Sequence, residues 1–524
     1  MAYELIAAVD LGSNSFRLQV GRVVENQIYP LDGLKEPVRL ASGLTKTNEL
    51  DEDSRMRALQ TLARFGERLR RFSPETVRAV ATNTLRVAKN TAGFLAEAEA
   101  TLGFPIEIIS GHEEARLIYV GVTHALPPAR HRRLVVDIGG GSTEAIIGSG
   151  HSPRLLESLH MGCVNYSLRF FPEGEVNKKS MRTAELSAAA TLSGIAQAYL
   201  HCGWREAIGS SGSAHALSDL LEQNGLNPNS ETGITREGLQ RLRALLLQAG
   251  NTARLKLEGL RSERVPVLAG GLAIMNAVFE TLDIEHMRYA DGALRLGVLY
   301  DLLGRTHHDD MRDTTVAQLM DRYQVDMRQA ERVERSACHF LAQLHGEEKK
   351  KPKKTGTRAE ESLFLAWAAR LHEIGISVSH GAYHKHGAYI LSFADLPGFS
   401  AREQHRIAWL VLYHRGKLDK LTQLFPMMGA HKISEHKREE QLMVFSLRLA
   451  VLLHRGRNPQ MSPSGFCRVR HEHREEGEKF ILELSPGWLE EHPLSAVELE
   501  DERSSWQRVG IELEIRPGAF CKEA

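Results

Sequence analysis

Two stretches decide the fold, Asp10-Leu-Gly-Ser-Asn-Ser-Phe-Arg17 and Asp137-Ile-Gly-Gly-Gly-Ser-Thr-Glu144. In each, aliphatic and β-branched residues lead into an aspartate, a turn of small residues follows, and a second strand leaves the turn. Turns made of Gly, Ser and Asn expose backbone N–H groups, and an anion can approach them closely because little side chain is in the way. The repeat predicts a duplicated chain whose two similar lobes face each other over a cleft.

The residues around these stretches alternate between strand-like and helical patterns. A helix is predicted over 53–72, where apolar residues recur on one face, and another from 111 past 122. The second stretch gives a strand, a turn and a strand over 132–148. Further strands are predicted at 4–10, 17–24, 76–82 and 105–110. This alternation predicts an α/β fold for the first part of the chain, up to about residue 300.

The pattern changes in the second part of the chain. Helical periodicity covers 313–345, 360–371, 404–413 and 441–454, and strand-like alternation returns between 465 and 520. We therefore predict an all-α domain followed by a small α+β domain. The basic run Lys349–Lys354 is interpreted as a solvated linker, with a guide for an anionic chain as the alternative.

Composition excludes several classes of protein. The 524 residues include 66 basic and 66 acidic side chains, and this zero net charge argues against a general nucleic-acid-binding protein. The five cysteines are scattered and form no Cys-X-X-Cys pair, which fits a reducing cytosol. Asp10 interrupts the apolar N-terminal run, and no stretch reaches the ~18 apolar residues that a membrane helix needs. We expect a cytoplasmic protein without a transmembrane segment.

Glycine-rich turns are the first candidate sites. Gly139, Gly140 and Gly141 follow a strand that carries Asp137. Because each glycine costs conformational entropy on folding, three in succession favour a phosphate cradle over a plain hairpin, with the carboxylate holding a metal ion or a water molecule. The turn at 10–14 has fewer glycines and is the weaker candidate.

Two later loops also follow apolar stretches. The loop 209–213 precedes a helix predicted to begin near Ala214, where free N–H groups attract anions; a serine N-cap is a compatible alternative. In 267–272, two glycines follow a stretch interpreted as a strand. That segment either faces a nucleotide base or permits close helix packing, and the sequence leaves both open.

The helix that begins near Gly111 opens with two carboxylates. Leu117 and Ile118 lie three and four positions after Glu114, so Glu114 is expected to point inward as a candidate general base, with an ordinary helix-start acid as the alternative. Glu113 is expected to be exposed, where the helix dipole favours it. Arg86 follows a predicted strand and is either a phosphate clamp or a solvated side chain.

Five stretches of the chain together resemble one protein family. They are 8–16, 109–118, 136–144, 161–164 and 291–295. They resemble the exopolyphosphatase/guanosine pentaphosphate phosphatase (Ppx/GppA) family of the actin–hexokinase–Hsp70 superfamily. The resemblance implies two duplicated ribonuclease-H-like (actin-like ATPase) lobes, an all-α HD-like domain and a small α+β domain. The implied domain boundaries are 1–125, 126–305, 306–462 and 463–524.

The resemblance also implies a reaction, hydrolytic release of the terminal phosphate from a phosphoanhydride chain with Mg²⁺; a monovalent cation such as K⁺ is left open. Glu114 becomes the catalytic base, and Asp137 and Glu144 serve the metal and the water. The expected metal ligands are Asp10, Asp137 and Glu144. The residues expected to hold phosphates are Ser13, Asn14, Arg86, Gly139, Gly140, Gly141, Ser142, Gly209, Ser210, Ser211, Gly212 and Ser213.

Two long-chain branches of this family act on polyphosphate and on guanosine pentaphosphate (pppGpp). The stretches 371–375, 384–391 and 413–417 are similar to the polyphosphate branch. Gly141 also favours that branch, because the glycine triplet of the other tends to Gly-Gly-Ala. We therefore expect an exopolyphosphatase that acts processively. The alternatives are a pppGpp phosphohydrolase and a non-enzymatic sensor of polyphosphate or nucleotide.

The helical region resembles an HD-type phosphohydrolase domain, with one departure. His372 is followed by Glu373 where a metal-binding His-Asp pair would be expected, so its histidines are interpreted as structural or polyphosphate-contacting. The expected polyphosphate contacts are His384, Lys385, His386, His414, Arg415 and Lys417. The expected partners are inorganic polyphosphate, or pppGpp and ppGpp in the alternative, and a second copy in a homodimer. Nucleic acid is not expected, and peripheral membrane association is left open.

Overall fold

The structure is a computed structural model that describes residues 4–518 except 25–26, 46, 229–230, 307–309, 347–354, 419–420, 422–432, 459–464 and 475–476. The chain forms two compact units, Met1–Met311 and Arg312–Ala524. The basic run Lys349–Lys354 lies outside the described residues. The finer division into four domains stays a prediction.

The first lobe is built on a five-stranded sheet with the order β3-β2-β1-β4-β5. Its strands are β1 (Glu4–Leu11), β2 (Phe16–Val24), β3 (Gln27–Glu36), β4 (Val77–Ala81) and β5 (Ile106–Ile108). Four of them agree with the predicted strands. The sequence pattern misses β3, because Pro30 and Gly33 interrupt its alternation; an edge strand tolerates both residues.

The second lobe repeats this arrangement in a six-stranded sheet with the order β10-β11-β9-β6-β7-β8. Its strands are β6 (Arg133–Ile138), β7 (Thr143–Ser149), β8 (Ser152–Leu159), β9 (Glu206–Ser210), β10 (Ile234–Thr235) and β11 (His286–Tyr289). In the first hairpin Asp10 pairs with Arg17, and in the second Asp137 pairs with Glu144. The two quoted stretches therefore occupy the same place in two similar sheets, and the duplication is confirmed.

Helices surround these two sheets. They are α1 (Glu52–Leu69), α2 (Asn83–Val87), α3 (Thr91–Leu102), α4 (Gly111–Ala125), α5 (Cys163–Phe170), α6 (Lys178–Cys202), α7 (Ser211–Gln223), α8 (Arg236–Ala249), α9 (Leu268–Thr281) and α10 (Leu294–Thr306). Capping side chains fix where they begin: Asp51 accepts a hydrogen bond from Ser54 N at 2.8 Å, and Ser110 accepts one from Glu113 N at 3.1 Å.

The glycines at 270 and 271 lie inside α9, so the strand interpreted before them is wrong. The helix is buried along almost its whole length and packs against α5. Gly270 N donates a hydrogen bond to Ser167 Oγ of α5 at 3.2 Å, and a Cβ at position 270 would lie 2.6 Å from Cys163 O. Of the two open alternatives, close helix packing is the one that the structure bears out, because the two backbones approach to contact distance.

Helices α4 and α10 also pack closely against each other, as α5 and α9 do. A Cβ at Gly121 would overlap the carbonyl oxygen of Ala293, and a Cβ at Gly297 would overlap that of Leu117. Small residues at such positions let two helices approach until their backbones touch. This contact fixes the helix that carries Glu114 against the helix that begins at Leu294.

The second unit contains the helices and the small sheet predicted for it. Its helices are α11 (Met311–Arg322), α12 (Met327–Gly346), α13 (Thr355–Leu371), α14 (Tyr383–Phe393), α15 (Ala401–Tyr413), α16 (Ile433–Leu453), α17 (Trp488–Glu491) and α18 (Pro493–Gln507). Its strands are β12 (Cys467–Arg474), β13 (Gly477–Leu484) and β14 (Glu512–Pro517). Phe445 of α16 stacks on Phe480 of β13 at 4.1 Å between ring centroids, so the helices and the sheet share one core.

Among the residues that the structure describes, we find no helix that combines the length and the apolarity that a membrane crossing requires.

Candidate active site

A cavity of ≈130 Å³ lies between the two lobes, where the two glycine-containing turns meet. A Cβ placed on Gly140 would lie 3.1 Å from Cβ of Ser13, and one on Gly141 would lie 2.5 Å from Asn83 Oδ1. The turns therefore converge, as the duplication predicts, and their contact leaves little room for side chains. The predicted site residues that line the cavity are Asp10, Ser13, Asn14, Glu114, Asp137, Gly139, Gly140, Gly141, Ser142, Glu144, Ser211, Gly212 and Ser213.

Four carboxyl groups are gathered in this cavity. Asp10 and Asp137 occupy equivalent positions in β1 and β6, Glu144 lies in β7, and Glu114 lies in the first turn of α4. Burial raises the pKa of Glu114 to about 7, although the Arg86 guanidinium acts in the opposite direction. Burial likewise raises the pKa of Asp137 to about 6, and it raises the pKa of Asp10 and of Glu144. The cavity thus concentrates carboxyl groups whose charged forms lack solvation.

This donor set fits a hard divalent cation. Asp10 Oδ1 is buried and has no hydrogen-bond partner among the described residues. Ser210 Oγ donates to Asp137 Oδ2 at 2.6 Å and Ser158 Oγ donates to Glu144 Oε1 at 2.8 Å, so both carboxylates are oriented by neighbours. Mg²⁺ prefers carboxylate and water oxygens, and a cation offsets the cost of burying several carboxylates together. The side chains of Asp10, Asp137 and Glu144 are the ones that would hold it.

Arg86 contacts the candidate base and does not line the cavity. Its Nη1 donates to Ile109 O at 2.7 Å and to Glu114 Oε2 at 3.3 Å. The guanidinium therefore orients the carboxylate that the sequence predicts to face inward, and Glu114 is indeed only 7% exposed. Direct phosphate binding by Arg86 stays a prediction.

Glu113 is not exposed, contrary to the expectation for a first-turn acid. It is 1% exposed, and Arg116 donates to both of its oxygens, with Nε at 2.7 Å from Oε2. The same guanidinium also binds Asp301 of α10, which in turn accepts from Arg78 Nη1 at 2.6 Å. Burial is tolerated because charges from three elements compensate one another.

The third loop lies partly in the cavity. Gly209 and Ser210 belong to β9 and are not among the residues that line it, although the Ser210 hydroxyl binds a carboxylate that does. The hydroxyls of Ser211 and Ser213 donate to Ile138 O at 3.1 and 2.9 Å, which ties the loop to the end of β6. Ser211 has a φ of 80°, a left-handed conformation that is uncommon for serine. Phosphate binding by this loop stays a prediction.

Sequence reasoning missed several residues that line the cavity, among them Arg17, Asn83, Arg264 and Arg295. Two of them carried a signal: Arg17 follows the first turn and pairs with an aspartate across the hairpin, and Arg295 ends the quoted stretch 291–295. Arg264 precedes α9 in a segment without a recognisable pattern. Guanidinium groups match phosphate oxygens, so these side chains suit an anionic ligand.

The residues expected to contact polyphosphate lie in the second unit. His414 Nδ1 donates to Val411 O at 2.6 Å and its ring lies 6.3 Å from that of His384. The Arg415 guanidinium lies 4.7 Å from the Tyr383 ring. These side chains form one cluster around α14 and the end of α15. Polyphosphate contacts by this cluster, and by Lys385, His386 and Lys417, stay predictions.

Both parts of the chain are similar to proteins of one phosphatase family. Residues 19–306 match the model of the Ppx/GppA phosphatase family, and residues 311–503 match the model of Ppx/GppA phosphatase, domain III. A crystal structure of an exopolyphosphatase from Cytophaga hutchinsonii is similar with a TM-score of 0.52 and 25% identity, covering 58% of this chain and 98% of that one.

Two curated relatives match over nearly the full length. Guanosine-5'-triphosphate,3'-diphosphate pyrophosphatases of Vibrio parahaemolyticus and Vibrio campbellii are each 37% identical over 511 residues, covering 98% of this chain and 98% of the relative. The predicted actin-like fold and the resemblance are confirmed. The chain, a phosphoanhydride hydrolase, belongs to the Ppx/GppA phosphatase family.

Proposed function

We propose that the protein hydrolyses the terminal phosphoanhydride bond of pppGpp and releases inorganic phosphate. The preference for this substrate rests on the two relatives of 37% identity, whose names specify guanosine-5'-triphosphate,3'-diphosphate. The sequence pattern favoured polyphosphate on the glycine at position 141 and the histidine-containing stretches. Full-length similarity outweighs these two features, because it covers 98% of both chains.

One observation carries the hydrolytic chemistry: a buried carboxylate and two converging glycine turns share a single cavity. In our proposal the terminal phosphate lies against the backbone N–H groups of the turns, and Glu114 Oε takes the proton from the attacking water. A base is most effective when its pKa lies near the working pH, and burial raises that of Glu114 to about 7.

The remaining carboxylates of the cavity would serve the cation. Asp10, Asp137 and Glu144 would hold Mg²⁺, which when bound supplies positive charge against the phosphate oxygens. Arg17 and Arg295 line the same cavity, and their guanidinium groups would place further positive charge next to the phosphate. These groups lower the electrostatic cost of bringing water, a carboxylate and a polyanion together.

Exopolyphosphatase activity is the second candidate, because the similar Cytophaga structure bears that name. The glycine at position 141 does not decide between the two substrates on its own. A methyl group there would lie 2.5 Å from Asn83 Oδ1, and a side-chain amide can move aside. The position therefore constrains the turn more directly than it constrains the substrate.

The deciding experiment compares pppGpp with long-chain polyphosphate at equal concentrations of terminal phosphate and with Mg²⁺ present. We expect a higher kcat/KM for pppGpp, measured as released phosphate. A higher value for polyphosphate would instead establish the second candidate. Tight binding of either substrate without release of phosphate would show a sensor and refute both.

The reaction would take place in the cytoplasm, in a homodimer. The four cysteines that the structure describes are free, which suits a reducing compartment. Sedimentation of the purified protein tests the dimer, and fractionation of cells tests the compartment.

A further inference from the structure

A second cavity of ≈200 Å³ adjoins the first. The two cavities share Arg17, Ser211, Gly212, Arg264 and Arg295 in their linings. A ligand whose terminal phosphate occupied the first cavity would have room to extend past these arginines into the second. What the second cavity can hold decides which leaving group the site accepts.

A stacked pair of rings forms part of the wall of the second cavity. His215 of α7 and Tyr289 of β11 lie 4.7 Å apart between ring centroids, with 17° between their planes. Their polar atoms face carboxylates: Tyr289 OH donates to Asp291 Oδ1 at 3.0 Å, and His215 Nε2 lies 3.4 Å from Asp219 Oδ2. The pair is held in place by these neighbours and offers flat, partly exposed aromatic surface.

The second cavity carries charges of both signs, with Arg17, Lys35, Arg261, Arg264 and Arg295 on one side of the balance and Asp219, Glu263 and Asp291 on the other. A chain with about one negative charge per unit would be repelled where it passes Asp219 and Asp291. Lys35, which also lines the cavity, is already paired with Glu263 at 2.7 Å. Three of the five basic residues, Arg17, Arg264 and Arg295, lie at the boundary with the first cavity.

The same features suit a purine nucleoside. A base stacks on aromatic side chains through its π-face. Guanine presents adjacent N–H donors on its Watson–Crick edge, and carboxylates such as those of Asp219 and Asp291 accept from such donors. Arginines at the boundary match the phosphates that connect this nucleoside to the terminal one.

We propose that the second cavity binds the guanosine of pppGpp, with the base on the His215–Tyr289 pair and the carboxylates of Asp219 and Asp291 accepting from the base and the ribose. This inference rests on the proposed function and adds the residues that select the leaving group. Selection then comes from the nucleoside, while the chemistry at the terminal phosphate is common to any polyanion.

The test measures phosphate release from pppGpp and from inorganic tripolyphosphate for the wild type, His215→Ala and Tyr289→Leu. Loss of one stacking partner is expected to lower kcat/KM for pppGpp by about 5- to 150-fold more than for tripolyphosphate. His201→Ala, an exposed histidine of α6, is the matched control and is expected to leave the ratio of the two substrates unchanged. Asp219→Asn is expected to reduce the preference for pppGpp over pppApp, because adenine lacks the paired donors.

Equal losses on both substrates, or no loss on either, would overturn the proposal. The affinity for ppGpp, measured by calorimetry, distinguishes a failure of the guanosine-cavity proposal from a failure of the proposed function. If the wild type releases no phosphate from pppGpp, the proposed function fails. In that case weaker ppGpp binding by His215→Ala than by the wild type still supports the guanosine cavity, and equal or absent binding refutes it.

Discussion

Replacement of Glu114 by Gln removes the candidate base while keeping its shape. The side chain is 7% exposed and lies between the cavity and Arg86, whose Nη1 is 3.3 Å from Oε2. Gln offers the same guanidinium an amide oxygen, so the position should stay packed and the fold intact. The variant therefore keeps the size and shape of the side chain, and it removes the negative charge together with the ability to take a proton from water.

The expected loss follows from that role. A positioned general base contributes about 10²- to 10⁴-fold, so kcat with pppGpp should fall by that factor, which corresponds to about 2.7–5.4 kcal/mol of transition-state stabilisation. Single-turnover phosphate release measures the chemical step, and ppGpp binding measured by calorimetry should stay within about threefold of the wild type. Glu75→Gln replaces an exposed carboxylate of the same lobe and serves as the matched control.

Near-full phosphate release by Glu114→Gln with intact binding would refute the assignment of the base. A parallel loss of binding and of turnover would instead show that the carboxylate shapes the cavity and does not take the proton.

Three further predictions concern the fold and the cation. Asp301→Asn should lower the free energy of unfolding by about 3–5 kcal/mol, because it removes the charge of a buried carboxylate that pairs with the guanidinium groups of both Arg78 and Arg116. Although burial opposes them, these guanidinium groups hold the pKa of Asp301 well below its usual range. The stabilisation by Asp301 is therefore present above about pH 4 and is lost as the pH falls. Denaturant unfolding should show that the difference in free energy of unfolding between variant and wild type becomes smaller on acidification. Gly162→Ala should abolish most phosphate release with a loss of about 1–3 kcal/mol in stability, because the added methyl group would overlap the backbone of Gly140; wild-type turnover in this variant would contradict the close approach. Removal of Mg²⁺ with a chelator should stop phosphate release. Added Mg²⁺ should raise Tm, because a cation offsets the mutual repulsion of the four cavity carboxylates. A Tm that does not change with the Mg²⁺ concentration would argue against a cation site in this cavity.

Local patterns were sufficient for the framework of the site. The repeated Asp-and-glycine turn placed Asp10 and Asp137 at equivalent positions of two lobes, because strand alternation and turn chemistry act over a few residues. The inward direction of Glu114 followed from the apolar residues three and four positions later on the same helix face.

Other features could not be read locally. Glu113 has the sequence context of an exposed helix-start acid, yet it is buried in a network that includes Asp301, far along the chain. The paired glycines of α9 have the composition of a loop, and only the approach of α5 makes them helical packing residues.

The sequence by itself determined two duplicated lobes, their converging turns and the carboxylates next to them. The tertiary structure decided which basic side chains and which aromatic rings line the two cavities: Arg264, His215 and Tyr289 come from separate elements with no shared pattern. The physical reason is one of range. Turn conformation and helix periodicity are encoded by neighbours in the chain, whereas charge compensation and a second cavity arise only when distant elements pack together.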